Sequence, residues 1–324
     1  MPKQPFFTII TPLYKGEAFL EQTLSSIKCQ TFTDFECLVV NDGSPGVTKE
    51  GFLDGKDPVF NRTINFDDLP KNNQAEYIFQ KIVGNDSRFR YTIKENGGQS
   101  SARNFAVDNA TGQFLLNLDQ DDYFLPNHLE RIAAYLQLHK NDWNNTVFRY
   151  ENYQDFWIEN DSMVKKNTAA VEQVSKNLTF ETALVYSQIS LTAGTIYRET
   201  LGNIRYSNRT KGMEDIDIVY DIFLRFQKEH KKLRVQTIPV DSLMKRSHPG
   251  SITTQDQNSG KKIEHAGKIT AYTNLIESGS LTFRQLIICH LGIWRFKLAK
   301  RPNIGTNVLK KILTFASKLI AFWW

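Results

Sequence analysis

Cysteine is scarce: the chain of 324 residues has three, Cys29, Cys37 and Cys289, and no CxxC. Three thiols cannot all pair with one another, so a disulfide framework is disfavoured. The spacing argues equally against a zinc cluster and fits a reducing compartment. Long apolar runs are missing too. No stretch reaches the roughly 18 uninterrupted apolar residues of a membrane span. The short apolar run after Met-Pro-Lys-Gln-Pro comes too late and ends too soon for a signal peptide. The expected location is cytoplasmic, with at most a peripheral hold on the inner face of the cell membrane. Acidic residues are absent from Leu281–Trp324, where eight Lys/Arg occur, against 32 Lys/Arg and 35 Asp/Glu in the residues before it. The formal net charge of +5 is therefore a slightly acidic body joined to a basic segment, which disfavours a globally basic nucleic-acid binder.

What is present suffices for a folded α/β protein. Hydrophobic residues make up 40% and charged residues 23%, enough to bury a core. Phe6–Leu13, Phe35–Val40, Arg90–Lys94 and Gln113–Leu118 read as strands. Gly16–Gln30, Ser100–Asn109 and Leu125–His139 read as helices between and after them. This alternation predicts a mostly parallel central sheet flanked by helices. Gly46–Gly84 is a long connection with a helix expected near Gln74–Lys81. In the second half, Trp143–Tyr153, Ser190–Arg198 and Leu233–Val240 read as extended and Met213–His230 as an amphipathic helix. Asn160–Ser175 and Ser247–Gly260 read as loops.

Ligands of an open parallel sheet bind at the carboxyl ends of its strands. Those ends carry Thr11-Pro12-Leu13-Tyr14, Asn41-Asp42-Gly43-Ser44, Asn96-Gly97-Gly98 and Asp119-Gln120-Asp121-Asp122. Asp42 has the chemistry to accept from a base or ribose, although Asp-Gly is also an ordinary turn. Asp119, Asp121 and Asp122 crowd three carboxylates into one turn. A hard cation, Mg2+ or Mn2+, that completes its shell with phosphate oxygens is their natural partner; simple helix capping is the alternative. Arg103, one turn into a Gly-opened helix, suits either a phosphate or the acidic turn. Glu214 and Asp215 open a helix, where acids complement the dipole or serve as a general base. Lys245-Arg246 followed by His248-Pro249-Gly250-Ser251 reads as a basic loop able to close over a pyrophosphate or add a metal ligand.

These segments resemble the family 2 glycosyltransferases of GT-A fold, the group that includes bacterial polysaccharide-building enzymes. Thr8–Ser44 resembles the family's opening βαβ unit and Glu95–Asp122 its second signature, ending in an Asp-x-Asp element. Met213–Ile218 resembles its Glu-Asp element and Arg246–Thr253 a late His/Ser loop. The resemblance spans residues 6–255. It implies an inverting transfer of sugar from a nucleotide-diphosphate donor, UDP-linked, to a hydroxyl of a saccharide or lipid-linked saccharide. Thr11, Pro12, Tyr14 and Asp42 would line the nucleotide pocket, Arg103 would lie near the diphosphate, and Asp119 would face the nucleotide-sugar. Asp121 would hold the divalent cation and His248 would touch the metal or the diphosphate. Asp215 would be the general base, with Glu214 its nearest competitor.

On this reading residues 1–255 form the GT-A domain, with a nucleotide-sugar half (1–125) and an acceptor half (126–255), and residues 256–324 form a helical extension. Asn41-Asp42 stands where the family usually carries two acids. A sugar nucleotidyltransferase is disfavoured because Thr11–Gly16 contains a single Lys and little glycine. A non-catalytic, membrane-tethered scaffold of a polysaccharide assembly complex is disfavoured by the carboxylates at Asp121 and Asp215. In Thr306–Trp323 the polar residues Asn307, Lys310, Lys311, Thr314, Ser317 and Lys318 share one helical face and bulky apolar residues cover the rest. With apolar, basic Leu281–Leu298 beside it, the segment suits an anionic membrane surface; packing as a C-terminal helix on the body or on another subunit is the alternative.

Overall fold

The computed structural model describes residues 4–54, 57–58, 60–160, 162–169, 179–186, 191–258, 262–299 and 304–323. The chain divides into two compact units. Unit 1 comprises Met1–Glu172, Thr192–Gly202 and Thr237–His248, and unit 2 comprises Gln173–Leu191, Asn203–Gln236 and Pro249–Trp324.

Unit 1 opens with β1 (Phe7–Leu13), α1 (Glu17–Lys28), β2 (Phe35–Asn41), α2 (Lys49–Asp54), α3 (Gln74–Val83), β3 (Phe89–Ile93), α4 (Gln99–Asn109) and β4 (Phe114–Asn117). It continues through β5 (Tyr123–Phe124), α5 (His128–Leu138), β6 (Thr146–Tyr150), β7 (Asn152–Glu159) and β8 (Ser162–Ala169). After α6 (Phe180–Tyr186) of unit 2, the chain returns with β9 (Gly194–Tyr197) and α7 (Arg198–Leu201). Helix α8 (Glu214–Lys228) belongs to unit 2 and β10 (Arg234–Ile238) crosses the division, its last two residues and β11 (Leu243–Arg246) completing unit 1.

The large sheet has the order β10-β6-β9-β4-β1-β2-β3. Strands β1, β2, β3 and β4 are mutually parallel, and β9 runs antiparallel to β4 and β6. Every residue of β1, β2, β4 and β6 is buried, because helices cover both faces of a parallel sheet and leave no polar side. The mostly parallel, helix-flanked sheet of the sequence reading is what forms. Its core is aromatic: Phe6, Phe7, Phe114 and Trp143 pack edge to face or tilted within 4.7–6.4 Å. Gly112 sits so close to β1 that a Cβ would lie 2.5 Å from the Thr8 amide nitrogen. Glu36, buried beneath the same turn, accepts from Thr8, Thr111, Gly112 and Arg90. Burial alone would raise its pKa, but these donors outweigh it and hold the carboxyl below the usual range.

A second sheet has the order β5-β11-β7-β8. Strand β8 corrects the expectation of a loop over Asn160–Ser175. Residues 162–169 pair antiparallel with β7 through eight registered positions, from Asn152↔Ala169 to Glu159↔Ser162. The turn begins at Asn160, whose φ of 49° is one that Asn tolerates well in short hairpins. A polar strand such as SMVKKNTA has no apolar alternation to announce it, so its pairing partner decides its conformation. Residues 170–175 of that expectation lie outside the described residues. Lys245 and Arg246, expected in a basic loop, lie in or at the end of β11, and Ile252–Asn258 of the same expected loop is the helix α9.

Unit 2 is helical. After α6 and α8 come α9, α10 (Lys262–Glu277), α11 (Phe283–Ala299) and α12 (Ile304–Trp323). The Phe180 and Phe223 rings stack at 5.1 Å, and the Tyr272 hydroxyl donates to the Leu184 carbonyl at 2.5 Å. Gly292 lets α11 approach α10, since a Cβ there would lie 2.3 Å from the Tyr272 ring. Among the described residues no helix is long and apolar enough to cross a membrane.

Candidate active site

The carboxyl ends of β1, β2 and β4 meet on one edge of unit 1, and three turns leave from it. At the end of β2, Asp42 is almost fully buried. Its carboxylate accepts from Lys94 Nζ at 2.6 Å, from the Gly98 amide at 2.7 Å and from the Gly97 amide at 3.1 Å. The Asp-Gly turn thus clamps the loop that opens α4, and Gly98 takes φ +84° there, a conformation that costs glycine nothing.

The acidic turn after β4 separates its carboxylates by environment. Asp119 accepts from Arg103 Nη2 at 2.7 Å and from Gln99 Nε2 at 3.2 Å. Burial would raise its pKa, but the Arg103 and Lys245 cations hold the carboxyl below the usual range. Asp122 is buried and accepts the Arg246 amide at 2.9 Å; burial and the neighbouring Asp121 push its carboxyl well up. The Oδ2 of Asp121 lies 3.0 Å from Nε2 of His248. An oxygen donor and a nitrogen donor 127 positions apart in the sequence of unit 1 therefore converge. Among the described residues no group of three or more His, Cys, Asp or Glu is placed to hold a metal.

Elements distant in sequence hold this turn. The Thr23 hydroxyl on α1 reaches the carbonyls of Gln120 and Asp122, each at 2.8 Å. The Gln120 side chain accepts from the Tyr14 amide at 2.6 Å and donates to the Tyr14 carbonyl at 3.0 Å. Arg246 is buried between the rings of Phe19 and Phe156, at 5.0 and 4.6 Å. Its guanidinium donates to the Asp121 carbonyl at 3.1 Å, to Asp57 at 3.1 Å and to Gln22. Two residues on, the His248 ring packs on Phe19 at 4.6 Å.

Of the residues singled out by sequence, Asp121 and His248 come together, as do Arg103 and Asp119, so Arg103 meets the acidic turn. Thr11 and Pro12 are buried within β1, and Thr11 presents no surface, whereas Tyr14 is 43% exposed. Arg246 is an internal tie rather than part of a basic loop over the edge. Glu214 and Asp215 lie in unit 2, in the first turn of α8, Glu214 buried and Asp215 half-buried.

Sequence reasoning missed Glu17, Gln22, Asp57 and Lys94 at or near this edge, and Asp217 in unit 2. Glu17 is buried and accepts from Ser44 Oγ at 2.5 Å; burial pushes its carboxyl pKa up. A Glu at the first position of a helix reads as a dipole partner, so no local signal marks it. Asp217 accepts from Thr210 Oγ1 at 3.0 Å, and burial next to Asp221 pushes its carboxyl up to about 7.

The sequence pattern of the family described as glycosyl transferase family 2 matches residues 8–191, more than half of the chain. The chain belongs to glycosyl transferase family 2. The family 2 match ends at Leu191, so the Glu-Asp segment at 213–218 and the His/Ser segment at 246–253 lie beyond it. An uncharacterized glycosyltransferase of Rickettsia bellii is 31% identical over 147 residues, 45% of this chain and 16% of that protein. EpsJ of Bacillus subtilis, also an uncharacterized glycosyltransferase, is 30% identical over 129 residues, 40% of this chain and 30% of that protein. The chain thus matches under a third of the length of both. A glycosyltransferase of Haemophilus influenzae, likewise uncharacterized, is 24% identical over 205 residues, 63% of this chain and 67% of that protein.

Solved structures extend the likeness of fold. S. aureus TarS 1–349 in complex with UDP-GlcNAc shares it at a TM-score of 0.57 and 15% identity, over 97% of this chain and 81% of that one. The mannosyltransferase PcManGT of Pyrobaculum calidifontis, in complex with GDP-Man and Mn2+, does so at 0.54 and 13%, over 99% and 88%. The fold of this family 2 member is GT-A.

Proposed function

We propose that the protein is an inverting glycosyltransferase that moves a sugar from a nucleotide-diphosphate donor, UDP-linked, to a hydroxyl of a saccharide or lipid-linked saccharide in cell-surface polysaccharide synthesis. Residues 1–125 would bind the donor and 126–255 the acceptor. The observation that carries this reading is the 3.0 Å approach of Asp121 Oδ2 to His248 Nε2, at the sheet edge where the Arg103–Asp119 pair also lies. The complexes of TarS with UDP-GlcNAc and of PcManGT with GDP-Man and Mn2+ support a nucleotide-sugar donor and a divalent cation.

One carboxylate and one imidazole suit Mn2+ or Mg2+ with much of its shell left to phosphate oxygens and water. When bound, the cation supplies positive charge to the departing diphosphate. The chain's own residues do the rest. Arg103, buried and paired to Asp119, fixes that carboxylate so that it faces the sugar without binding the metal. Asp42 keeps the Gly97-Gly98 amides in place below the nucleotide, where Tyr14 offers its exposed ring. Asp215 takes the proton of the acceptor hydroxyl as the new bond forms at the anomeric carbon, and no covalent intermediate is required. Glu214, more deeply buried, is the less accessible base.

The test is turnover of nucleotide-sugars by Asp121→Ala and Asp215→Asn. Each should lower kcat on the order of a hundredfold or more, with unchanged unfolding temperatures. Wild-type rates in both variants would remove the assignment. Thermal shifts across UDP- and GDP-sugars with and without Mn2+ would identify the donor, since a ligand bound only to the native state raises its stability.

A further inference from the structure

Unit 2 contains a cleft of about 460 Å3 that the transfer reaction does not use. It lies on α10, α11 and α12: His265, Arg295, Lys310, Lys311 and Lys318 line it together with the rings of Phe296 and Phe315. No Asp or Glu lines it, and Leu281–Trp324 contains none. Four cations around one concavity without a carboxylate repel one another unless an anion joins them. Some are already oriented: Lys318 Nζ lies 5.2 Å from the Tyr186 ring centroid and the Arg295 guanidinium 5.0 Å from that of Phe296. Such cation–π contacts hold the charge without neutralising it.

The face of α12 next to the cleft is apolar and open. Leu313, Ser317 and Ala321 are buried, while Ile312, Phe315 and Leu319 are 55%, 65% and 42% exposed. Of the polar face, Ser317 is inside while Lys311 and Lys318 are exposed, and three bulky apolar side chains are outside. With about 100° between successive helical residues, those three fall within about 60° of one another, and Lys311 and Lys318 lie along one border of the stripe. Trp294, beside Arg295, is 63% exposed. A soluble phosphate would need the cations and not the stripe; an apolar peptide would need the stripe and not the cations.

We infer that the cleft receives the phosphate headgroup of an anionic lipid, while Ile312, Phe315 and Leu319 enter the acyl boundary of the same leaflet. This assigns membrane attachment to a discrete site on unit 2 and is independent of the sugar-transfer reading. The 324-residue chain is floated with phosphatidylcholine vesicles, alone and with phosphatidylglycerol. Binding is expected only to the anionic vesicles. Lys311→Gln/Lys318→Gln should lower the partition coefficient roughly thirtyfold, from about 1 kcal/mol per lysine near an anionic surface. Phe315→Ser should lower it at unchanged salt dependence. The control Lys71→Gln/Lys232→Gln, which removes equal charge from exposed sites elsewhere, should leave it unchanged. Equal binding to neutral vesicles overturns the proposal, as does equal loss in the control. So does a thermal shift with inorganic pyrophosphate in the absence of any vesicle binding, which would give the cleft to a soluble anion.

Discussion

Single residues at the sheet edge owe their chemistry to their neighbours more than to their type. Asp119, Asp121 and Asp122 are one residue type within four positions. Arg103 keeps the first acidic, His248 faces the second, and burial keeps the third protonated toward higher pH. Asp217 in unit 2 shows the same effect with a measurable consequence. Burial and Asp221 lift it to about 7, above its unfolded value. The folded state therefore holds the extra proton between about pH 4 and pH 7, and its stability falls as pH rises through that window. Urea unfolding midpoints of the wild type should decrease from pH 5 to pH 8, and Asp217→Asn should flatten that decrease. An unaltered slope in the variant would show that Asp217 is not the group responsible. His128 works in the opposite sense. Buried against Phe124 and bonded to Ser242, it is pushed down to about 3. Its contribution is complete above about pH 6.5 and is lost as pH falls toward 3.

Among the elements, β11 matters most to the site because it carries both Arg246 and the approach to His248. Arg246 and Asp57 form a buried pair, and removing one member strands the other charge. Arg246→Leu should cost about 3 kcal/mol or more, read from thermal unfolding, with part recovered in Asp57→Leu/Arg246→Leu. No recovery would mean that the ties to Gln22 and the Asp121 carbonyl carry the loss instead. The element scale is also where sequence reading succeeds and fails visibly. Strands β1, β2, β3 and β4 were legible within a residue or two, because apolar runs bounded by turn residues have few other solutions. So was the acidic turn, since its carboxylates follow a strand directly. Strand β8 was not legible, because its conformation comes from pairing with β7. The role of Arg246 was hidden for a similar reason: nothing near it in sequence reveals that Phe19, Phe156 and Asp57 surround it. Glu17 and Asp217 look like ordinary first-turn acids until burial is known.

At the scale of the whole molecule, the charge division at Leu281 coincides with structure. Helices α11 and α12 bury Ile288, Cys289, Phe296 and Leu313 within unit 2, and Arg284 donates to the carbonyls of Ile320 and Ala321 at the end of α12. These helices are part of a folded body. Deleting Leu281–Trp324 should therefore lower the unfolding temperature and increase binding of a hydrophobic dye, while the point variants of the cleft keep both. A truncated protein with wild-type unfolding would show that the two helices add no stability. The division into units also bears on the order in which the protein can be built. Unit 1 is discontinuous: its last piece, Thr237–His248, follows a stretch of unit 2. The Arg246 tie to Asp122 spans 124 positions and the Asp121–His248 approach spans 127. Contacts that distant carry a large loop-closure cost and form late. On a ribosome, the chain must pass His248 before the acidic turn has gained both Arg246 and His248, so the strands of that sheet edge can assemble well before the edge itself is complete.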